Sequence, residues 1–201
     1  MFIIGVTGGV GTGKSTVARM LGRLGAHVLD ADRMTHELMR PGTAVWKALC
    51  SAFGRGILTS DGEIDRRKLG VLAFGNKKIL TRLSRIIHPA VRLAIQEKIH
   101  RIRKKSPNAV VVLDVPLLNE AGSAYRVDTL VVVSSSPRVV AGRLRKRSGW
   151  SVAEIRRRQA FQLPLRTKER MADFVVRNHE SLAATRRQVV HIWKRIVKGE
   201  R

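Results

Sequence analysis

A glycine-rich stretch near the beginning of the chain contains residue types that bind phosphate. Residues 8–15 read GGVGTGKS and match the spacing G-x-x-x-x-G-K-[ST] in full. Glycines allow consecutive backbone N–H groups to turn toward one anion, and the N-terminus of a following helix favours the same negative charge. The stretch predicts a phosphate-binding loop, and the residues expected to contact the nucleotide are Gly9, Gly11, Thr12, Gly13, Lys14, Ser15 and Thr16.

The side chains of this loop are expected to have two roles, contact with phosphate and ligation of magnesium. Lys14 is expected to reach the outer phosphates, and the Ser15 hydroxyl is expected to ligate magnesium. Asp114 closes the apolar run AVVVLD and resembles the aspartate that holds magnesium in P-loop proteins, directly or through water. The alternative for Asp114 is a carboxylate at a strand end that accepts a hydrogen bond from a neighbouring turn.

Two further aspartates follow a predicted strand in the sequence LDAD, residues 29–32. A carboxylate at that position can accept the proton of an attacking hydroxyl or orient that hydroxyl toward a phosphate. We assign this role to Asp32 and treat Asp30 as its support or as a helix cap, and the exchange of these two roles remains open.

Arginines at helical spacing could stabilise charge on a transferring phosphoryl group. Arg143 and Arg147 are four residues apart, so they share one face of a predicted helix. Guanidinium groups suit this role because they are always charged and present several donors. The alternative is a solvated basic face.

The elements that must position these residues follow from the hydrophobic pattern. Short apolar runs alternate with helical segments and predict strands at residues 2–7, 26–30, 109–114, 128–133 and 173–177. The nearly continuous valine and leucine runs are typical of parallel strands covered on both faces. The pattern predicts an α/β fold with a five-stranded parallel sheet flanked by helices, and a ligand outside the carboxyl ends of the strands.

The chain suits a single P-loop domain over residues 1–201 with two added parts. Residues 33–108 contain no convincing strand and predict helices at 33–40, 43–53, 66–74, 76–87 and 89–104. The polar, basic segment 148–170 is expected to form a mobile lid. We therefore expect a core (1–32, 106–147 and 171–201), a helical acceptor-binding insertion (33–105) and a lid (148–170).

Composition limits the partners and the location. The chain has 39 Lys and Arg against 15 Asp and Glu, a formal net charge of +24, and a single cysteine, Cys50. The charge attracts polyanions, but the basic stretches match no nucleic-acid module and few aromatic residues accompany them. No apolar run approaches the roughly 20 residues of a membrane span. We expect a cytoplasmic monomer or small homo-oligomer without a membrane partner and without nucleic acid as its main partner.

Together, these motifs resemble the dephospho-CoA kinase family. The phosphate loop alone indicates only nucleotide binding, whereas DAD with IDR, HP and PLLxE is specific to this family among P-loop kinases. The resemblance covers roughly residues 2–197. The segments that carry it occur in the family's order and read TGGVGTGKSTVA, DADRMTHEL, PGTAVWKAL, DGEIDRRKLGVLAFGN, IIHPAV, VVVLDVPLLNEAG, RLRKR and MADFVVRNH.

The resemblance implies Mg²⁺-dependent transfer of the ATP γ-phosphate to the ribose 3′-hydroxyl of dephospho-CoA, the last step of coenzyme A synthesis. It makes Asp32 the base, while the catalytic roles of Lys14 and Arg143 rest on the loop motif and the helical spacing given above. It places Arg143 and Arg147 on the lid side of ATP and Asn178 at the adenine, although His179 follows where the family usually has glycine. The positions that it associates with the acceptor are Asp65, Arg66 and His88. The apolar run after Asp114 adds Leu117 as a candidate acceptor contact, which either walls a pocket or belongs to the core.

Two other functions are compatible with parts of the sequence. A kinase of another small phosphorylated acceptor would keep the loop, Asp32 and the lid but would have no reason for the IDR and HP stretches. A nucleic-acid-binding P-loop ATPase is suggested only by the net charge, and it would show hydrolysis with a steep salt dependence and no acceptor phosphorylation.

Overall fold

A computed structural model describes residues 1–115 and 126–199 of the chain. Its strands are β1 (Phe2–Gly8), β2 (His27–Asp30), β3 (Val110–Asp114), β4 (Thr129–Ser134) and β5 (Phe174–Arg177). Its α-helices are α1 (Lys14–Arg23), α2 (Ala31–Leu38), α3 (Ala44–Phe53), α4 (Arg66–Gly75), α5 (Lys77–Lys105), α6 (Pro137–Ser148), α7 (Val152–Gln159), α8 (Leu165–Arg170) and α9 (Leu182–Val197). A 3₁₀ helix spans Arg55–Ile57.

The strands form one parallel sheet in the order β2-β3-β1-β4-β5. This confirms the predicted five-stranded parallel sheet flanked by helices, and each strand end lies within about one residue of its predicted position. β1 is central, which explains why its side chains Ile4 and Val6 are fully shielded from solvent. Burial of each such side chain contributes about 1.5–3 kcal/mol relative to exposure.

Helices α1 and α9 cover this sheet through their apolar faces. Val17 and Leu21 of α1 and Val189 and Ile192 of α9 belong to the same buried cluster as the central strands. The cluster fixes the carboxyl ends of β1 and β4 relative to the start of α1. The loop between β1 and α1 is therefore held at both ends by elements that belong to the buried core.

Helix α5 corrects one prediction from the sequence. Pro89 lacks a backbone donor and crowds the preceding turn, so it predicts a break between two helices. The structure has a single helix of 29 residues with Pro89 inside it. Ile86 and Ile87 before the proline and Ala90 after it pack against the same buried cluster. Burial of one continuous face therefore carries the helix past the lost hydrogen bond.

The chain divides into two compact units. One comprises Met1–Asp30 with Arg101–Arg201, and the other comprises Ala31–His100. The first contains the sheet, the phosphate loop, and helices α7 and α8. Because this division does not separate residues 148–170 from the sheet, their role as a lid stays a prediction. The second has its own core around Leu49, Ile57 and Leu69. Within the described ranges, no helix has the length and hydrophobicity that a bilayer crossing requires.

Candidate active site

The phosphate-binding loop connects the carboxyl end of β1 to the start of α1. β1 ends at Gly8, and α1 begins at Lys14 with Gly13 as its N-cap. Gly13 has a φ of +96°, and a Cβ atom there would lie 2.1 Å from Asn178 Nδ2. Both the left-handed backbone and the lack of space require glycine at this position. The strand, loop and helix occur in the predicted order.

Hydrogen bonds inside the loop fix its shape. The Thr12 hydroxyl donates to the Gly9 carbonyl at 2.9 Å, and the Thr12 backbone N–H points to the same oxygen at 3.3 Å. Lys14 Nζ donates to the carbonyls of Gly9 at 3.1 Å and Gly8 at 3.3 Å. The Lys14 ammonium group therefore lies over the loop, and its contact with the phosphates stays a prediction.

Arg143 extends from α6 to this loop. Its NH1 atom donates to the Thr12 carbonyl at 3.4 Å, and its NH2 atom lies 3.5 Å from Asn178 Oδ1. Arg147, one turn later on α6, is exposed. Of the two predicted arginines, the structure brings Arg143 to the loop, and the role of Arg147 stays a prediction.

Asn178 follows β5 directly and is only 2% exposed. Its Nδ2 atom donates to the Thr12 carbonyl at 2.7 Å, and its backbone N–H donates to the Ser134 carbonyl at 2.8 Å. The side chain of Asn178 thus contacts the phosphate loop. Its assignment to the adenine of ATP stays a prediction.

Two of the three candidate aspartates end neighbouring strands. Asp30 of β2 and Asp114 of β3 are partners in the sheet register, and Asp114 is also the partner of Val6 on β1. Register partners in a parallel sheet place their side chains on the same face. Asp114 is 4% exposed. Its buried carboxylate therefore lies on β3, the neighbour of β1, and β1 leads into the phosphate loop. Asp32 lies in the first turn of α2.

The chemistry of Ser15 and Asp114 fits magnesium. Both offer oxygen donors, which this ion prefers, and Ser15 presents an exposed hydroxyl in the first turn of α1. In residues 1–115 and 126–199, no three His, Cys, Asp or Glu side chains form a metal-binding group. This donor set suits an ion that takes its remaining ligands from phosphate and water rather than from a protein cage.

A glutamine that the sequence analysis did not single out also contacts the loop. Gln162 lies between α7 and α8, and its Oε1 atom accepts the Val10 backbone N–H at 3.2 Å. Val10 also packs against a small cluster in which Ile155 of α7 meets Leu144 of α6. The segment predicted as a lid is therefore anchored beside the loop. The contact between Gln162 and Val10 spans 152 residues, so no local pattern could have indicated it.

In the second unit, two predicted acceptor residues begin helix α4. The Asp65 carboxylate caps α4 by accepting the Lys68 backbone N–H at 2.9 Å. Arg66 NH1 lies 2.6 Å from His36 Nε2. Because arginine can only donate, His36 Nε2 accepts in this contact. Asp65 thus has a partner in α4 and Arg66 has one in α2. Contact of Asp65 and Arg66 with the acceptor stays a prediction.

His88 and Leu117 complete the predicted acceptor residues. His88 is on the exposed side of α5, but partial burial of its ring lowers its pKa below the ordinary value of 6.5. The imidazole is therefore neutral at pH 7 and can offer a ligand hydrogen bonds rather than charge. Leu117 lies outside the described residues.

A shallow cavity of about 530 Å³ lies beside Asp65 in the second unit. Its apolar wall is formed by Phe53, Ile57, Val71 and Leu72, and its other lining residues are Gly56, Asp65, Arg67 and Lys68. Val71 is 63% exposed and Leu72 is 43% exposed. The cavity therefore combines an uncovered apolar surface with two cations and one carboxylate.

Comparisons with known proteins show what the chain is similar to. A family model described as dephospho-CoA kinase matches residues 2–184. The dephospho-CoA kinase of Geobacter metallireducens is 42% identical over 202 residues, which cover 100% of both chains. The one from Geobacillus kaustophilus is 42% identical over 194 residues, which cover 95% of this chain and 94% of the relative. The solved dephospho-CoA kinase from Campylobacter jejuni has a TM-score of 0.70 at 26% identity, with 98% of each chain covered.

Proposed function

The chain belongs to the dephospho-CoA kinase family, and we propose that it transfers the γ-phosphoryl group of ATP to the ribose 3′-hydroxyl of dephospho-CoA, giving coenzyme A. The observation that carries this proposal is the family match over residues 2–184 together with a complete phosphate loop at the end of β1. A cytoplasmic location is part of the same proposal and agrees with the single cysteine.

The residues of the loop bind and hold the nucleotide. The backbone N–H groups of the loop and the N-terminus of α1 surround the phosphates. Lys14 exchanges its bonds to the Gly8 and Gly9 carbonyls for bonds to the γ-phosphate. Arg143 stabilises the charge that develops on the transferring group. Asp32 orients the 3′-hydroxyl and accepts its proton as the oxygen attacks phosphorus. The γ-phosphoryl group moves to that oxygen, and ADP leaves.

Ser15 and Asp114 would hold the magnesium ion that accompanies ATP, with Asp114 acting directly or through water. A bound Mg²⁺ neutralises charge on the phosphates during the transfer. The buried position of Asp114 and its oxygen chemistry support this assignment.

A direct assay tests the proposed reaction. Purified protein with ATP, Mg²⁺ and dephospho-CoA should form coenzyme A, identified by mass spectrometry, at the rate at which ADP appears. The 3′-deoxy analogue of dephospho-CoA, which lacks only the accepting hydroxyl, should yield no phosphorylated product. Phosphorylation of this analogue would show that another hydroxyl accepts the phosphate.

The cavity beside Asp65 suits the long arm of the acceptor. The pantetheine arm of dephospho-CoA is a thin chain of methylene and amide groups, and its diphosphate carries negative charge, so an apolar wall next to two cations matches both. We expect the double variant R67A/K68A to raise the KM for dephospho-CoA about threefold to tenfold. The effect is modest because both side chains are exposed and screened by salt.

Steady-state kinetics with each substrate varied in turn check this expectation. K78A/K98A removes two cations from α5 and is the control for net charge. An increase in the KM for ATP, or an equal increase in the control, would exclude this cavity as the place where the acceptor arm binds.

The segment 148–170 is expected to become better protected when both substrates bind. Arg156 and Arg157 are exposed in the last turn of α7, whereas Arg158 is ion-paired with Glu154. The repulsion between the two exposed arginines is relieved when phosphate arrives. Amide hydrogen exchange of this segment should slow with a nonhydrolysable ATP analogue plus dephospho-CoA. Equal protection with and without these ligands would make α7 and α8 an ordinary part of the surface.

A further inference from the structure

Asn178, which the resemblance assigns to the adenine of ATP, forms a buried pair with Thr185 beside the phosphate loop. Asn178 is 2% exposed, and Thr185 of α9 is fully buried. The Thr185 hydroxyl lies 3.0 Å from Asn178 Oδ1, and Asn178 Nδ2 donates to the Thr12 carbonyl at 2.7 Å. We propose that this pair, which we term the brace, positions the Thr12–Gly13 peptide and Arg143 for binding the phosphates of ATP. The proposal rests on the proposed function of the loop.

The chemistry of the partners fixes the orientation of the Asn178 amide. The Thr12 carbonyl can only accept a hydrogen bond, so the amide NH₂ must face the loop. Arg143 can only donate, and its NH2 atom faces Oδ1 at 3.5 Å, on the same side as the Thr185 hydroxyl. Each polar atom of the amide therefore has a partner of the opposite kind, and a flipped amide would lose the bonds to the Thr12 carbonyl and to Arg143.

Peptide geometry transmits this orientation to the loop. A trans peptide is planar, so its C=O and its N–H point in opposite directions. When Asn178 and Arg143 hold the Thr12 carbonyl, the Gly13 N–H is directed away from them. A Gly13 N–H in a loop of this kind is one of the donors that a phosphate requires. The brace thus sets the direction of a phosphate-binding donor without contacting the phosphate itself.

The absence of a side chain at Gly13 is part of the same arrangement. A Cβ at Gly13 would approach Asn178 Nδ2 to 2.1 Å and would lie 3.7 Å from Arg143 NH1. The amide can therefore reach the Thr12 carbonyl only because position 13 is glycine. Asn178 and Gly13 are 165 positions apart in sequence, and the amide of Asn178 occupies the space that a side chain at position 13 would need.

Two substitutions test the brace. Thr185→Val keeps the shape of the side chain but removes the hydroxyl, and Asn178→Asp keeps the size but removes the donor to Thr12. Thr185→Val should weaken ATP binding roughly threefold to tenfold, the range expected for one lost buried hydrogen bond. Asn178→Asp should weaken it more, because a carboxylate would then face the Thr12 carbonyl.

Ser135→Ala is the matched control. The Ser135 hydroxyl donates to the backbone carbonyl of Asn178 at 2.8 Å, so its removal costs a buried hydrogen bond to the same residue without touching the loop. The control should lower the melting temperature as Thr185→Val does while leaving ATP binding unchanged. If Ser135→Ala and Thr185→Val weaken ATP binding equally, the pair is merely structural and the proposal is wrong.

Inorganic tripolyphosphate separates phosphate positioning from an adenine contact. Calorimetry well below each melting temperature should show that Thr185→Val and Asn178→Asp lose affinity for ATP and tripolyphosphate by the same factor. Loss for ATP alone would assign Asn178 to the adenine and overturn the brace. If one variant does not fold, the other decides between these outcomes. Binding is measured without acceptor, so a wild-type protein that binds ATP but makes no coenzyme A would contradict the proposed function alone.

Discussion

The Asp32→Asn enzyme is expected to lose roughly 10²–10⁴ of kcat, the range typical of a positioned general base. Asparagine keeps the size of the side chain but cannot accept the proton of the 3′-hydroxyl. Because the substitution acts in the transition state, the Kd for dephospho-CoA should change far less than kcat. Single-turnover kinetics and equilibrium binding of dephospho-CoA measure the two quantities separately.

Asp30→Asn is the matched control for this experiment. Asp30 ends β2, and Asp32 lies in the first turn of α2, so the two substitutions remove the same charge two positions apart. Melting temperatures should stay near wild type for both, since asparagine caps a helix about as well as aspartate. A larger loss of kcat at Asp30 would show that Asp30 is the base, and no loss at either would leave the reaction without a base among these residues.

Lys14→Ala is expected to lower kcat by about 10²–10³ or more, the cost of removing one donor that stabilises charge in the transition state. The Lys14 ammonium donates to the loop carbonyls of Gly8 and Gly9, outside the buried cluster beneath the sheet, so the core packing should survive. Coupled ADP release at saturating substrates measures kcat, and circular dichroism checks the fold.

A second lysine substitution controls for the loss of charge. Lys146→Ala removes an exposed cation from α6 and should leave kcat within about twofold of wild type, as expected for a surface substitution. A folded Lys14→Ala enzyme with near-normal turnover would contradict the assignment of residues 8–15 to phosphate binding.

The sheet could be predicted because its signals are local. The valine-rich runs at β3 and β4 are buried on both faces, and the glycines of the loop follow β1 directly. Helix α5 could not be predicted as one element, because the packing of Ile87 and Ala90 against a distant cluster outweighs the local effect of Pro89.

The candidate site divides along the same line. Lys14 and Ser15 belong to a motif of eight consecutive residues, so their identity and position follow from the sequence. Gln162 and Thr185 have ordinary local contexts, and only the fold brings the first to Val10 and the second to Asn178. Polar residues that contact the loop or its neighbours, rather than the substrate, are placed by contacts between distant segments. A single sequence does not reveal such contacts.

Acceptor specificity tests the central claim most directly. The wild-type enzyme should be assayed with ATP, Mg²⁺ and equal concentrations of dephospho-CoA, pantetheine phosphate, AMP or gluconate, with kcat/KM measured for each. The account predicts that kcat/KM for dephospho-CoA exceeds that for every other acceptor, with coenzyme A as the product. A higher kcat/KM for another acceptor, or ATP hydrolysis that nucleic acid stimulates without phosphorylation of any acceptor, would contradict it.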